Sequence, residues 1–241
     1  MSTLSLVTKR SLSKSKLTLV ATLALFLSAC NDNDSTAVET PEPVEYSYTV
    51  SVTNLTYAQP LSPLAVVLHA NSKMWMVGES ASIALENLAE SGDNSNFIAD
   101  SNALAAVSGE GVVLPGDAST VEITTTDRAA NYFTAATMLV NTNDAFSGLT
   151  GIDISTLAVN DEKSWNLSVY DAGTEANTEA AGTIPGPADG GTGFDTTRDD
   201  VDFVGYHSGV VSQDDGLSSS VLTQAHRFDN PAVKLTITRT K

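Results

Sequence analysis

Residues 46–53 read Tyr46-Ser47-Tyr48-Thr49-Val50-Ser51-Val52-Thr53, two tyrosines and two valines alternating with small hydroxyl side chains. Successive side chains of a strand point to opposite faces, so this period of two describes a strand with one face buried and one in water. The alternation returns at residues 121–124 (VEIT), 165–169 (WNLSV) and 233–238 (VKLTIT). Residues 64–68 (LAVVL) are apolar throughout, which suits a strand covered on both faces. Further strands are expected at 112–114, closed by Pro115-Gly116-Asp117, and at 133–140, 152–159 and 202–206. Eight or so short strands punctuated by Gly, Pro, Asn and Asp predict an all-β protein, an antiparallel β-sandwich. One or two short helices are expected in an insertion between early strands. Ser80 can cap a helix that carries Ala84, Leu85, Leu88 and Ala89 on one face and stops at Gly92, and a second is expected over 97–107. Their apolar stripes are expected to cover an open end of the sandwich.

The segment ahead of this body carries an address. A basic stretch ending at Lys16 is followed by thirteen mostly apolar residues, 17–29 (LTLVATLALFLSA), and then by Cys30. A membrane-spanning helix needs about 20 apolar residues, so residues 1–29 read as an export signal that is removed. Leu27-Ser28-Ala29-Cys30 resembles the lipobox of bacterial lipoproteins, which implies acylation of the Cys30 thiol and cleavage just before it. The mature chain is then tethered to the membrane through lipid at Cys30 and does not span it. Asn31, not aspartate, follows the cysteine, and by the sorting rule of that class this favours the outer membrane. Residues 30–45 continue as an acidic linker with five acids, two prolines and no base, a composition that cannot build a core. The folded domain is expected over 46–241.

The 241 residues amount to one domain beyond the signal. The whole chain has 12 Lys+Arg against 29 Asp+Glu, a formal charge of −17. All four bases ahead of Cys30 fall in the signal, so the remainder holds eight bases against 29 acids. Such a body is repelled by phosphate backbones, and nucleic acid is excluded as a partner. One cysteine rules out a disulfide framework and a cysteine-cluster zinc site. No nucleophile elbow, HExxH pair, Walker loop or dinucleotide glycine motif occurs, and no enzymatic role is expected. His69, His207 and His226 are read as hydrogen-bonded residues at strand ends. A hydrolase of envelope polymers using His207 or His226 as base is the alternative, because triads assemble from scattered positions.

Acids gather in two loops. Strand 133–140 runs into Asn141-Thr142-Asn143-Asp144, and strand 165–170 runs into Asp171-Ala172-Gly173-Thr174-Glu175. If 152–159 reverses between them, the outer two strands run the same way and their loops emerge at one end of the sandwich. Gly173 permits positive φ, letting Asp171 and Glu175 fold back toward one point. Asp144, Asp171 and Glu175 with nearby carbonyl oxygens make a hard-cation donor set, and its loose geometry suits Ca2+ over Mg2+. The competing reading is that they are solvated turn residues. A second acidic stretch, 189–202 (DGGTGFDTTRDDVD), lacks EF-hand spacing and reads as a solvated, mobile loop.

Residues 48–63 (YTVSVTNLTYAQPLSP), 77–93 with GESAS and LAESGD, 139–152 (LVNTNDAFSGLTGI), 169–175 (VYDAGTE) and 228–231 (FDNP) followed by VKLTITR, taken together in this order, resemble the spondin domain, the N-terminal domain family of F-spondin and mindin that also occurs in bacterial exported proteins. The resemblance implies a β-sandwich with one structural Ca2+ and, in animal members, adhesion or matrix roles. Its ion ligands fall on Asp144, Asp171 and Glu175. Glu175 stands where the animal pattern has aspartate, and Ala145 where an aromatic follows the loop aspartate. The reading is therefore a lipid-anchored, calcium-binding envelope protein that serves adhesion or binds an unknown protein or glycan. A passive lipoprotein that only assembles with envelope proteins is a further alternative.

Overall fold

The computed structural model describes residues 42–70 and 73–241. In chain order its strands are β1 (Tyr46–Asn54), β2 (Ala65–His69), β3 (Ala103–Ser108), β4 (Ala118–Thr125), β5 (Tyr132–Met138), β6 (Ala145–Asp153), β7 (Glu162–Leu167), β8 (Val169–Asp171), β9 (Gly205–Tyr206) and β10 (Val233–Arg239). Helices α1 (Ile83–Ser91) and α2 (Ser95–Ile98) lie between β2 and β3. One sheet has the order β4-β1-β10-β7 and the other β3-β2-β5-β6-β8-β9, with antiparallel pairing throughout. The fold is the antiparallel sandwich that the alternation predicts.

In β1, Tyr48, Val50 and Val52 are buried while the intervening hydroxyl residues are half-exposed. They meet Val233, Leu235 and Ile237 of β10 and, from the facing sheet, Val66, Leu68, Phe133, Ala135 and Val169. The opposite face of the six-stranded sheet carries a second core, in which Ala65, Val67, Ala136 and Phe146 pack under Leu85, Leu88 and Ala89 of α1. That explains the unbroken apolar run of β2, buried at all five positions. The sequence reading places these stripes over an open end of the sandwich; the helix instead covers a sheet face. Beside it the rings of Trp75, Phe146, Tyr170 and Tyr206 contact one another in series, centroids 5.1–5.4 Å apart.

Other boundaries also move. The N-cap of α1 is Ser82, whose side chain accepts from the Leu85 N–H, while the Ser80 hydroxyl donates to the Asp202 carbonyl. Gly92 stops the helix in the left-handed region, as expected. The second helix is four residues long, and Ala103–Ser108 instead pairs with β2 as an edge strand. The strand expected at 152–159 lies at Ala145–Asp153. Its first four residues are buried and do not alternate, and the Gly148 backbone passes so close to β5 that a Cβ there would lie 2.2 Å from the Ala135 carbonyl oxygen. Residues 165–170 are not one strand: the chain leaves the four-stranded sheet at Leu167 and enters the other at Val169. The alternation continues across that break, so period alone does not reveal it. The reading of strand direction survives, because β5 and β8 are each antiparallel to β6 and so run the same way. Residues 1–29, Cys30 and most of the linker lie outside the described residues.

Candidate metal centre

The turn joining β5 to β6 and the turn after β8 emerge side by side. Ala145 stands opposite Asp171 in the ladder, and the Ala172 N–H donates to the Asp144 carbonyl at 3.2 Å. Residues 141–144 are buried and tied by their own side chains. The Thr142 hydroxyl donates to the Leu139 carbonyl at 2.6 Å, and Asn143 Nδ2 donates to the Glu175 carbonyl at 2.9 Å. Gly173 has φ +71°, and a Cβ there would lie 2.2 Å from the Phe203 carbonyl oxygen. Conformation and space both demand glycine at this point of the turn.

Asp144 is fully buried. Its Oδ2 accepts from the Thr174 N–H at 2.9 Å, the Glu175 N–H at 3.3 Å and the Thr174 hydroxyl at 3.3 Å, while Oδ1 has no partner. Burial, then the charge of Asp171, pushes its carboxyl up to about 7 against those donors. Asn143 Oδ1, next along the turn, is likewise buried without a donor. Buried acceptors left open are costly, and they cluster here.

The other two predicted carboxylates lie to either side of Asp144. Asp171 is half-buried, with Oδ1 accepting from the Gly173 N–H at 2.8 Å and Oδ2 from Asn177 Nδ2 at 2.6 Å. Its charge acts on Asp144, Glu179, Asp200 and His207. Glu175 faces a different set: burial and then the charges of Glu90, Asp144, Asp199 and Asp195 push it up to about 8. It lines a cleft of about 260 Å3 together with Asp195, Asp199 and several threonines. So the structure brings Asp144 against the 171–175 turn but does not point all three carboxylates at one spot. Among the described residues no three of His, Cys, Asp and Glu stand close enough to enclose an ion as placed.

The acidic stretch expected to be a mobile loop is pinned instead. Asp195 donates its N–H to Glu90 Oε2 at 2.9 Å, Asp199 to the Thr174 carbonyl at 3.1 Å, and Asp202 to the Gly173 carbonyl at 2.8 Å. Arg198 bonds Glu86 through Nε and Nη2 at 3.0 and 2.6 Å and also pairs with Asp202. These contacts join residues far apart in sequence, which composition cannot foresee. Arg198 is spent there, and among the described residues no basic side chain pairs with Asp144, Asp171 or Glu175. The donors are all oxygen, the charge is uncompensated and two acceptor atoms are buried and open; this chemistry fits a hard cation.

Sequence reasoning passed over Glu90 and Glu179, both buried with one carboxylate oxygen unpartnered. Glu179 sits in an irregular stretch without a signal. Glu90 had one: with Glu86 it makes an i, i+4 acid pair on the side of the helix that carries Leu85 and Ala89. The histidines hold local structure. His69 Nε2 bonds the Thr134 hydroxyl at 2.8 Å, His207 Nδ1 accepts from the Gly209 N–H at 3.0 Å, and His226 Nδ1 accepts from the Thr223 N–H at 3.0 Å. Burial holds the pKa of all three below the usual imidazole range.

Among the described residues no helix is long and apolar enough to cross a membrane. Residues 54–183 match the model of the spondin N-terminal domain family, Spondin_N, and cover more than half of the chain. No curated protein matches it.

Proposed function

Because the chain belongs to the spondin N-terminal domain family, a domain of extracellular, adhesion type, we propose that it is a lipid-anchored bacterial envelope protein whose sandwich carries one structural Ca2+. The observation that carries the metal reading is Asp144, a fully buried carboxylate with Oδ1 open and no basic partner. Asp144 would hold the ion with Asn143 Oδ1 as a neutral oxygen donor, and Asp171 and Glu175 would turn from their present positions to complete the set. A bound divalent cation supplies positive charge that offsets their mutual repulsion. The chain's part is to prepare the cage: Thr174 and Glu175 N–H groups fix Asp144, Gly173 lets the turn close, and Asn177 restrains Asp171. Tying two loops at one end of the sandwich would set the shape of an adhesive surface toward a protein or glycan partner. We read the protein as a binding module and not an enzyme.

Anything that binds the native state alone raises the melting temperature. We expect millimolar calcium to raise it relative to chelator, and Asp171→Ala to abolish the rise. Superimposable melts of the wild-type chain in calcium and in chelator would remove the ion from this account. Hydrolysis of ester or glycan substrates that disappears in His207→Ala or His226→Ala would replace the binding reading with the enzymatic one.

A further inference from the structure

We infer that a second site, at the end of the sandwich opposite the candidate metal centre and independent of it, takes the carboxylate and adjoining hydroxyls of an acidic sugar. β5 begins beside Asn131 at this end and finishes ahead of the metal turn at the other. A cleft of about 130 Å3 opens here beside the start of β1, lined by Tyr46, Tyr48, Asp127, Arg128, Asn131 and Arg239 among others. Tyr48 is 5% exposed with its ring in the core, and its hydroxyl has no hydrogen-bond partner among the described residues. A hydroxyl on so buried a side chain is ordinarily bonded, and a ligand in the cleft would supply the acceptor. Burial pushes its pKa up against the Arg239 charge, so it stays a donor at neutral pH.

Arg239 is held in place beside it. Its Nη1 donates to the Leu157 carbonyl at 2.8 Å and its Nε to the Lys241 main-chain oxygen at 2.9 Å, and the guanidinium lies 5.1 Å from the Tyr46 ring centroid. Nη2 has no acceptor, and the side chain of exposed Arg128 bonds nothing among the described residues. Neither arginine pairs with an acidic side chain there, in a chain with 29 acids. A fixed guanidinium fork beside a hydroxyl donor suits a carboxylate. Two positive charges against the one of Asp127 favour a monoanion over a doubly charged phosphate. Asp127 would repel a bare anion, yet its Oδ2 is open while Oδ1 accepts from the Ala129 N–H, and Asn131 Oδ1 is open while Nδ2 donates to the Arg128 carbonyl. These oxygens can accept from sugar hydroxyls, so donors for a carboxylate stand beside acceptors for its neighbours. The volume admits the charged edge of one sugar and not a length of polymer.

The test is titration of the full chain with D-galacturonate, galactose, acetate and inorganic phosphate, by calorimetry and amide chemical shifts, at low salt without calcium, chelator or other carboxylates. Wild type, Tyr48→Phe and Arg239→Gln are compared, with the melting response to calcium as control for the other end. Galacturonate is expected to bind the wild type and shift residues 46–48, 127–131 and 239, with the other three probes at least about tenfold weaker. Tyr48→Phe, which removes only the hydroxyl, should weaken galacturonate about tenfold, the worth of one hydrogen bond to a charged group. Arg239→Gln should weaken it further, and both should keep the wild-type response to calcium. A wild type that binds no galacturonate, or a Tyr48→Phe chain with wild-type affinity, overturns the site. Acetate or phosphate bound as tightly as galacturonate overturns the sugar. If Arg239→Gln does not fold, Tyr48→Phe decides alone.

Discussion

At Gly173 two independent demands meet, a left-handed backbone and a carbonyl oxygen 2.2 Å from where a Cβ would sit. Gly173→Ala is expected to cost about 1–3 kcal/mol from backbone strain alone, read by urea unfolding, and to shrink the calcium-induced rise in melting temperature. An unchanged midpoint would show that the turn tolerates a side chain. The neighbouring carboxyls carry a pH signature. Unfolded carboxyls titrate near pH 4, whereas Asp144 and Glu175 are pushed up to about 7 and about 8 in the fold. Between these limits the native state binds more protons than the unfolded one, so stability falls as pH rises from about 4 to about 8. In chelator the protein should melt higher at pH 5 than at pH 8. Calcium should narrow that gap, since metal and proton compete for the same oxygens. A melting temperature in chelator that rises over this range would contradict the assignment. The three candidate residues were legible in sequence as loop acids at the ends of two parallel-running strands. Their unequal burial was not, because burial depends on what packs over the turn.

α1 was legible from its apolar spacing and its glycine stop, yet its place in the molecule was not. An amphipathic stripe says that one face is buried without naming what buries it. The structure sets the stripe on the outer face of the six-stranded sheet and straps the helix to residues 195–202 through Glu86 and Glu90. Glu86 is nearly inaccessible, and deleting its partner would leave a buried charge. Arg198→Ala is accordingly expected to destabilise by about 3 kcal/mol, measured by denaturant unfolding. Arg198→Ala combined with Glu86→Gln should recover part of the loss, and a double variant no better than the single one would show that the pairing is not the source. The misplacement of β6 has a related cause. Its opening residues are covered on both faces, so the period-two signal vanishes where burial is most complete.

Across the whole chain the uneven placement of charge carries a prediction that the fold does not touch. If Cys30 is acylated, the full-length chain expressed in a bacterial host should enter the detergent phase on phase separation, and Cys30→Ser should move it to the aqueous phase. Equal partitioning of the two would remove the lipid anchor. The sandwich itself was written locally: a strand with one wet face must alternate, and residues 46–53 and 233–238 do so whatever surrounds them. By itself, then, the sequence determined the all-β class, the direction of the strands around the two acidic loops and the glycine that closes the second loop. These follow from local period and backbone sterics. Only the tertiary structure decided which acids are buried and which of them lack a counter-charge. Desolvation and charge pairing are set by residues distant in sequence, such as Arg198 against Glu86 and Asp195 against Glu90.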